Sequence, residues 1–327
     1  MDQRRKVLLY ERMHPEGTRL LEERCEVAYA DSMDEDRIIG QMGDVDAIVI
    51  RANGKVTRRI MESAPRLRVV GRHGVGLENI DLQTARERGI RVVYAPEANA
   101  ISVAEHFVGL ALMLAKRLRL ADRALRDGYW KARYELIGSE LHGKTLGVLG
   151  FGRIGQQTAR ICRLGFGMNV LYHDVRSVPD VEKALDASRA DIQGVFREAD
   201  FVSINLPLLP QTRGLVSAEL LRIMKPTAFL VNMARGPVWN EADVIRALRE
   251  GWIAGVGSDV FEEEPTSLDN PLLSMDNFVG TPHMASHTEE GMVRMSLVAR
   301  DILKVLDGQE PEFPVPDELF LQYGGSS

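Results

Sequence analysis

Short apolar runs alternate with longer stretches of helical periodicity along nearly the whole chain. Residues 6–10, 25–29, 47–50, 67–70 and 91–94 are rich in Val, Ile, Leu and Tyr, and each predicts a strand. A long helical stretch follows. Further strand candidates then stand at residues 145–149, 169–173, 201–205, 228–232, 255–258 and 277–280. Many of these runs are continuously apolar rather than alternating, the pattern of strands covered by helices on both faces. The regular β–α alternation predicts an α/β protein made of doubly wound parallel sheets.

Two boundaries can be read from the same pattern, one near Pro96 and one near Pro282. Residues 95–100 are loop-like, and Ser102 with Glu105 has the spacing of a capping box. A single long helix is therefore expected from there to about residue 125. Val103, Phe107, Leu110, Leu114 and Leu118 give it more apolar surface than one domain face needs, which predicts a homodimer. Toward the other end, Met292, Met295, Val298, Ala299, Ile302, Leu303 and Leu306 recur at helical spacing, and Gly308 is a suitable stop. The tail from Gln309, stiffened by Pro311, Pro314 and Pro316, is expected to form an extended strap or a frayed end.

Composition narrows the function classes. With 327 residues the chain has room for two domains with cores of their own. A net charge of −6 gives no general attraction for nucleic acid or anionic lipid, so any anion site must be local. The basic residues Arg4, Arg5 and Lys6 are not followed by a signal-peptide core, and no apolar run is long enough to span a bilayer. A cytoplasmic protein with no membrane or nucleic-acid partner is expected. Cys25 and Cys162 lie far apart without metal-ligand company, so both read as reduced core thiols and no metal site is indicated.

The strongest local signal is Gly150-Phe151-Gly152-Arg153-Ile154-Gly155, set between the strand candidate 145–149 and a helical pattern that runs through Phe166. In that setting the glycines have separate jobs. Gly150 permits the tight turn, Gly152 lets backbone approach a pyrophosphate, and Gly155 lets helix and strand pack closely. The helix N-terminus offers free N–H groups and partial positive charge to phosphates. At the distance this fold requires, the next strand ends at Tyr172-His173-Asp174. Asp174 can accept the adenosine ribose hydroxyls and would repel a 2′-phosphate, which favours NAD over NADP. Arg176 close by works against that bias.

Three later segments carry candidate chemistry: Val231-Asn232-Met233-Ala234-Arg235-Gly236, then Asp259-Val260-Phe261-Glu262-Glu263-Glu264-Pro265, then Thr281-Pro282-His283. With the glycine motif, Gly74-Val75-Gly76-Leu77-Glu78-Asn79-Ile80-Asp81, Ser102–Glu105 and Leu206-Pro207 with Thr212, the chain resembles the D-isomer-specific 2-hydroxyacid dehydrogenase family over nearly its whole length. Its look is nearest to phosphoglycerate dehydrogenases without their regulatory domain, so feedback through such a domain is not expected. The resemblance implies that Arg235, Glu264 and His283 are catalytic. It implies NAD as cofactor, with Gly150, Gly152, Arg153, Ile154, Gly155, Asp174, Pro207, Thr212, Ala234 and Asp259 around it, Asp259 at the nicotinamide carboxamide. It also implies the layout: a Rossmann NAD-binding domain (residues 98–288) inserted into a flavodoxin-like substrate-binding domain (residues 1–97 and 289–327), with the substrate in the cleft. The dimerisation region of the family covers the segment near Trp130.

The residue types suit hydride transfer to the C2 carbonyl of a 2-oxo acid. Negative charge builds on the carbonyl oxygen, where a protonated imidazole can donate. A neighbouring carboxylate fixes the ring tautomer and favours the charged form. Arginine presents a planar fork to the substrate carboxylate. Alone, His283 would be an ordinary loop histidine, Arg235 a surface ion-pair residue and Glu264 part of a solvated acidic run; it is the set that points to catalysis. His106 and His142 read as structural. Many relatives have a histidine where Asn205 stands. Gly74, Val75 and Gly76 can offer backbone N–H groups as a nest for a carboxylate. Arg51, Arg72 and His73, basic or potentially basic beside it, lean the expected substrate toward a second anionic group, phosphohydroxypyruvate first. A glyoxylate or hydroxypyruvate reductase is the alternative, with pairing of Arg51 and Arg72 to acidic residues of the fold as its basis. An NAD-sensing corepressor scaffold is the alternative of another class. Formate dehydrogenases share the fold but typically carry glutamine where Glu264 stands.

Overall fold

A computed structural model describes residues 4–323. It divides into two compact units. The first takes the described residues up to Asn99 and from His287 on, and the second is Ala100–Ser286. Among the described residues no helix is long and apolar enough to cross a membrane.

The first unit holds a parallel sheet of strands β1 (Lys6–Leu9), β2 (Glu26–Tyr29), β3 (Ala47–Ile50), β4 (Val69–Arg72) and β5 (Arg91–Tyr94), in the order β2-β1-β3-β4-β5. That is the flavodoxin-like order, with its switch point between β1 and β3. The continuous apolar runs have a direct structural cause. Val7, Leu9, Val49 and Val69 pack into one layer with Val298 and Ile302, while Leu8, Ile48, Ile50 and Val70 pack into the opposite layer with Ile38, Ile60 and Met61. Both faces are dry, so successive side chains must all be apolar.

The helix Val298–Leu306 covers this sheet at close range. A Cβ on Gly71 would stand 2.4 Å from the Ile302 Cδ1, so β4 carries glycine where the helix presses on it. The tail then runs as a strap along the edge of β5. Val93 bridges Pro314 antiparallel, the Tyr94 amide donates to Phe313, and the Val315 amide donates to Val92. The buried Asp301 carboxylate accepts the Glu312 and Phe313 amides at 2.8 Å each, which fixes the strap to its own helix. The strap thereby covers a sheet edge.

The second unit holds β6 (Thr145–Leu149), β7 (Asn169–His173), β8 (Ala187–Arg189), β9 (Phe201–Ile204), β10 (Phe229–Asn232), β11 (Gly255–Ser258) and β12 (Phe278–Gly280). All pairs are parallel, and the order is β12-β11-β10-β9-β6-β7-β8. This is the dinucleotide-binding order with one added strand, and β6 and β9 flank the switch point. On one face the helices Ala100–Ala115 and Arg153–Phe166 bury Phe107, Leu110, Ala159 and Cys162 against Val148 and Val231.

Five points need correction. Strand β4 begins two residues later than the apolar run suggests, and β8 went unread because Ala-Ser-Arg has no apolar signature. The long helix is two, Ala100–Ala115 and Leu118–Arg126, broken where Arg117 takes φ 54°. Ser102 lies inside its first turn, so no capping box forms. Val103, Phe107, Leu110 and Leu114 are buried in their own unit and are not surplus surface. Ile101 is the exposed large apolar residue of the helix Ala100–Ala115; further exposed apolar residues follow at Leu118, Leu125, Tyr129, Trp130, Tyr134 and Ile137.

Candidate active site

The glycine turn leaves β6 at Gly150, whose φ of +91° suits glycine. A Cβ there would meet the Asn205 carbonyl at 2.9 Å, and one on Gly155 would stand 2.2 Å from the Gly150 oxygen. Gly152 differs, because a Cβ on it would meet nothing within 4 Å. It is the N-cap of the helix Arg153–Phe166 and supplies no side-chain cap, so the first helical amides around Arg153 and Ile154 have no side-chain partner from that position. The Asp174 carboxylate accepts the Phe151 amide at 2.6 Å and the Arg176 amide at 3.0 Å, tying the end of β7 to the turn. Arg189, from the unread strand β8, donates to the Asp174 carbonyl at 2.8 Å. Thr212 donates to the Pro207 carbonyl at 2.6 Å and accepts the Leu209 amide at 2.8 Å, which closes the loop after β9. An uncapped helix start, open space at its glycine and an acid at the next strand end fit a dinucleotide.

Register brings the next loops together. Asn232 pairs with Ser258, and Ser258 with Gly280, so β10, β11 and β12 end side by side. The fully buried Asn232 amide group donates to the Arg235 carbonyl at 3.1 Å and accepts the Ala234 amide at 3.0 Å. Gly236 then lies so close to the next loop that a Cβ would stand 1.9 Å from the Phe261 carbonyl. The Arg235 guanidinium donates to the Ala234 carbonyl at 2.8 Å. Glu264 accepts the Phe261 amide at 2.9 Å through Oε1, and its Oε2 lies 2.7 Å from His283 Nδ1. Burial opposes ionisation of Glu264, but the hydrogen bond and charge of His283, the Phe261 amide and the Arg235 charge outweigh it and hold its carboxyl below the usual glutamate value. An ionised carboxylate only accepts, so Nδ1 carries the hydrogen and Nε2 is left for other chemistry. The His283 side chain remains 42% exposed.

Asp259 lies beneath this pair and is 2% exposed. Its backbone carbonyl accepts the His283 amide, Oδ1 accepts the Met284 amide and Oδ2 the Ala285 amide, all at 2.8 Å. Oδ1 also accepts the Thr281 hydroxyl at 2.6 Å. Three donors leave capacity on a carboxylate that offers about four lone-pair sites. The turn so held puts His283 at φ 49°, a left-handed conformation that few non-glycine residues adopt. His106, read from sequence as structural, reaches Thr281 Oγ1 at 2.8 Å. Sequence reasoning gave no role to Asn232, Thr281 or Arg189, and only a structural one to His106.

In the first unit the basic cluster is smaller than the sequence suggests. Buried Arg72 donates through Nε to the Gly76 carbonyl at 2.5 Å and through Nη1 to the His73 carbonyl at 2.8 Å, so its guanidinium braces its own loop. His73 is a correction. Burial, with the Arg51 charge second, pushes its imidazole down to about 3, so it is neutral at physiological pH. The nest is also reduced. Gly74, at φ 137°, donates to the Arg72 carbonyl at 2.9 Å, while the Val75 and Gly76 amides find no acceptor among the described residues. Arg51, just past β3, donates to the Arg12 carbonyl at 2.6 Å and makes no ion pair among the described residues.

Comparison with known proteins gives one family. The D-isomer specific 2-hydroxyacid dehydrogenase, NAD binding domain, matches residues 108–285. The D-3-phosphoglycerate dehydrogenase of Methanocaldococcus jannaschii is 41% identical over 94% of this chain, which spans 58% of that protein's length. The glyoxylate reductase of Pyrococcus furiosus is 39% identical over 96% of both chains. A solved NADPH-dependent glyoxylate/hydroxypyruvate reductase from Sinorhizobium meliloti, in complex with NADP and malonate, aligns with a TM-score of 0.86 at 30% identity, over 96% of this chain and 97% of that one.

Two outcomes follow from this geometry. Gly155→Ala should weaken NADH binding, read by fluorescence titration, because the Gly150 backbone must move to admit the methyl group. Unchanged affinity would show that the turn does not carry the pyrophosphate. Carboxyl 13C NMR should find Glu264 titrating below the ordinary glutamate value of about 4.3. Since the folded value is depressed, the stabilisation is complete above the ordinary range and is lost as pH falls through the depressed value. A midpoint at or above the ordinary value would contradict the pairing.

Proposed function

The chain belongs to the D-isomer-specific 2-hydroxyacid dehydrogenase family of NAD-dependent oxidoreductases, and we propose that it interconverts a small 2-oxo acid and its D-2-hydroxy acid. The observation that carries this reading is the 2.7 Å pair of His283 Nδ1 and Glu264, with Arg235 close enough to bias the carboxylate's charge.

When bound, the nicotinamide would supply a hydride to C2 as NADH or take one up as NAD+. In reduction, His283 donates a proton from Nε2 to the carbonyl oxygen as charge builds there; in oxidation the neutral ring takes it from the alcohol. Glu264 keeps the ring in one orientation and balances the imidazolium charge. Arg235 grips the substrate carboxylate with its planar fork. The amides at the start of the helix Arg153–Phe166 hold the pyrophosphate, with Gly150, Gly152 and Gly155 giving room. Asp174 takes the ribose hydroxyls and selects NAD over NADP. Pro207, Thr212 and Ala234 line the cofactor, and Asp259 adds the carboxamide to its donors.

For the substrate we favour a short 2-oxo acid such as glyoxylate or hydroxypyruvate. His73 is neutral, and Arg72 keeps its charge but commits Nε and Nη1 to backbone carbonyls of its own loop, which weakens the case for an anionic tail. The 39% identity to a glyoxylate reductase over 96% of both chains supports the same choice. Arg51, which makes no ion pair among the described residues, keeps phosphohydroxypyruvate as the second reading. We also propose a homodimer formed through the exposed segment around Trp130, 66% exposed, and Ile137, 75% exposed.

His283→Ala should lower turnover by about 10²- to 10⁴-fold with little change in NADH affinity. Near-normal turnover would remove His283 from the reaction. In the same assays kcat/KM should rank glyoxylate or hydroxypyruvate above phosphohydroxypyruvate, and NADH above NADPH. A reversal that Arg51→Ala abolishes would establish the anionic-tail reading. In sedimentation velocity the protein should run as a dimer at micromolar concentration and Trp130→Glu as a monomer, whereas a monomeric wild type would refute the assembly.

A further inference from the structure

We propose that His106 is a positioning residue for the reaction, acting on His283 through Thr281 and Asp259. The inference rests on the acid–base role of His283 given above.

The chain of contacts is continuous. His106 Nε2 lies 2.8 Å from Thr281 Oγ1 and 3.7 Å from Asp259 Oδ1, and Thr281 Oγ1 lies 2.6 Å from the same Oδ1. The hydroxyl has one hydrogen, and a carboxylate can only accept, so that hydrogen goes to Asp259. Thr281 must then accept from His106, which fixes the hydrogen of that ring on Nε2. Asp259 in turn collects the amides of His283, Met284 and Ala285. The far end of this chain is the left-handed turn at His283, which needs fixed partners to persist.

The near end is rigid. His106 stands on the helix Ala100–Ala115, whose neighbouring Phe107 and Leu110 are buried in the core of the second unit. Thr281 and His106 are 175 residues apart in sequence, and Asp259 comes from a third element. The hydrogen bonds therefore tie the placement of His283 to a packed helix rather than to a loop alone. A donor at position 106 keeps the Thr281 hydroxyl aimed at Asp259. Without it, the hydroxyl can turn away and the carboxylate loses a partner in a buried setting.

The test compares His106→Phe, which keeps ring bulk and loses the donor, with His106→Gln, which can keep a donor. Thermal melting and NADH titration check fold and cofactor binding. Turnover should fall about 10-fold or more in His106→Phe, mainly in kcat, and recover at least in part in His106→Gln. The imidazole 1H–15N signals of His283 should shift or broaden in His106→Phe and return toward wild type in His106→Gln. His106→Phe combined with Thr281→Val should be little worse than either alone, because both cut one chain. If His106→Phe does not fold, Thr281→Val against Thr281→Ser makes the same comparison. Unaltered His283 signals in the donor-less variant, or equal losses in the Phe and Gln variants, would overturn the proposal. The NMR arm needs no turnover, so shifted His283 signals in a protein that reduces no 2-oxo acid would refute the proposed activity and leave the positioning intact.

Discussion

A buried carboxylate organises the end of the second unit that carries His283 and Glu264. Asp259 accepts from three successive amides, through its carbonyl and both side-chain oxygens, and from the Thr281 hydroxyl. Leaving a buried polar group unsatisfied costs about 1–3 kcal/mol, and more for a charged one, so the loop has little freedom to choose another path. The contact of Gly236 with Phe261 constrains the neighbouring loops in the same way. The register of three parallel strands brings these loops together, and glycine at one point of contact lets them touch. The placement of the His283–Glu264 pair is thus a product of sheet geometry, fixed by hydrogen bonds from the loops beside it.

The first unit solves a related problem with different parts. Its sheet is covered by a helix that returns from far along the chain, and Gly71 accepts that helix at contact distance. Asp301 ties the tail to the helix, and the tail covers β5. Two buried aspartates, Asp259 and Asp301, therefore perform the same physical task in the two units. Each collects successive backbone amides and fixes a segment that has no regular structure of its own.

Much of this could be read from the chain because most of the signals are local. Doubly covered strands must be continuously apolar, and the glycine turn, the Arg235 segment and the His283 segment each sit at the end of such a run. What escaped the reading was what burial and distance decide. Strand β8 lies at a sheet edge with no apolar pattern. The helix break at Arg117 carries neither glycine nor proline. Arg72 and His73 look cationic as letters, but the fold engages one with backbone carbonyls and holds the other neutral. His106 offered no signal, since its partner lies on a distant segment and only the folded sheet brings them together.

The central claim is that this protein moves a hydride to C2 of a 2-oxo acid while His283 delivers the proton. The most direct measurement uses NADH deuterated at the nicotinamide C4 position with the 2-oxo acid that turns over fastest, and reads the product by NMR. The account predicts deuterium at C2 of a 2-hydroxy acid, and hydrogen from solvent on its oxygen alone. A product with solvent hydrogen at C2, or bound NADH with no labelled product from any 2-oxo acid, would contradict it.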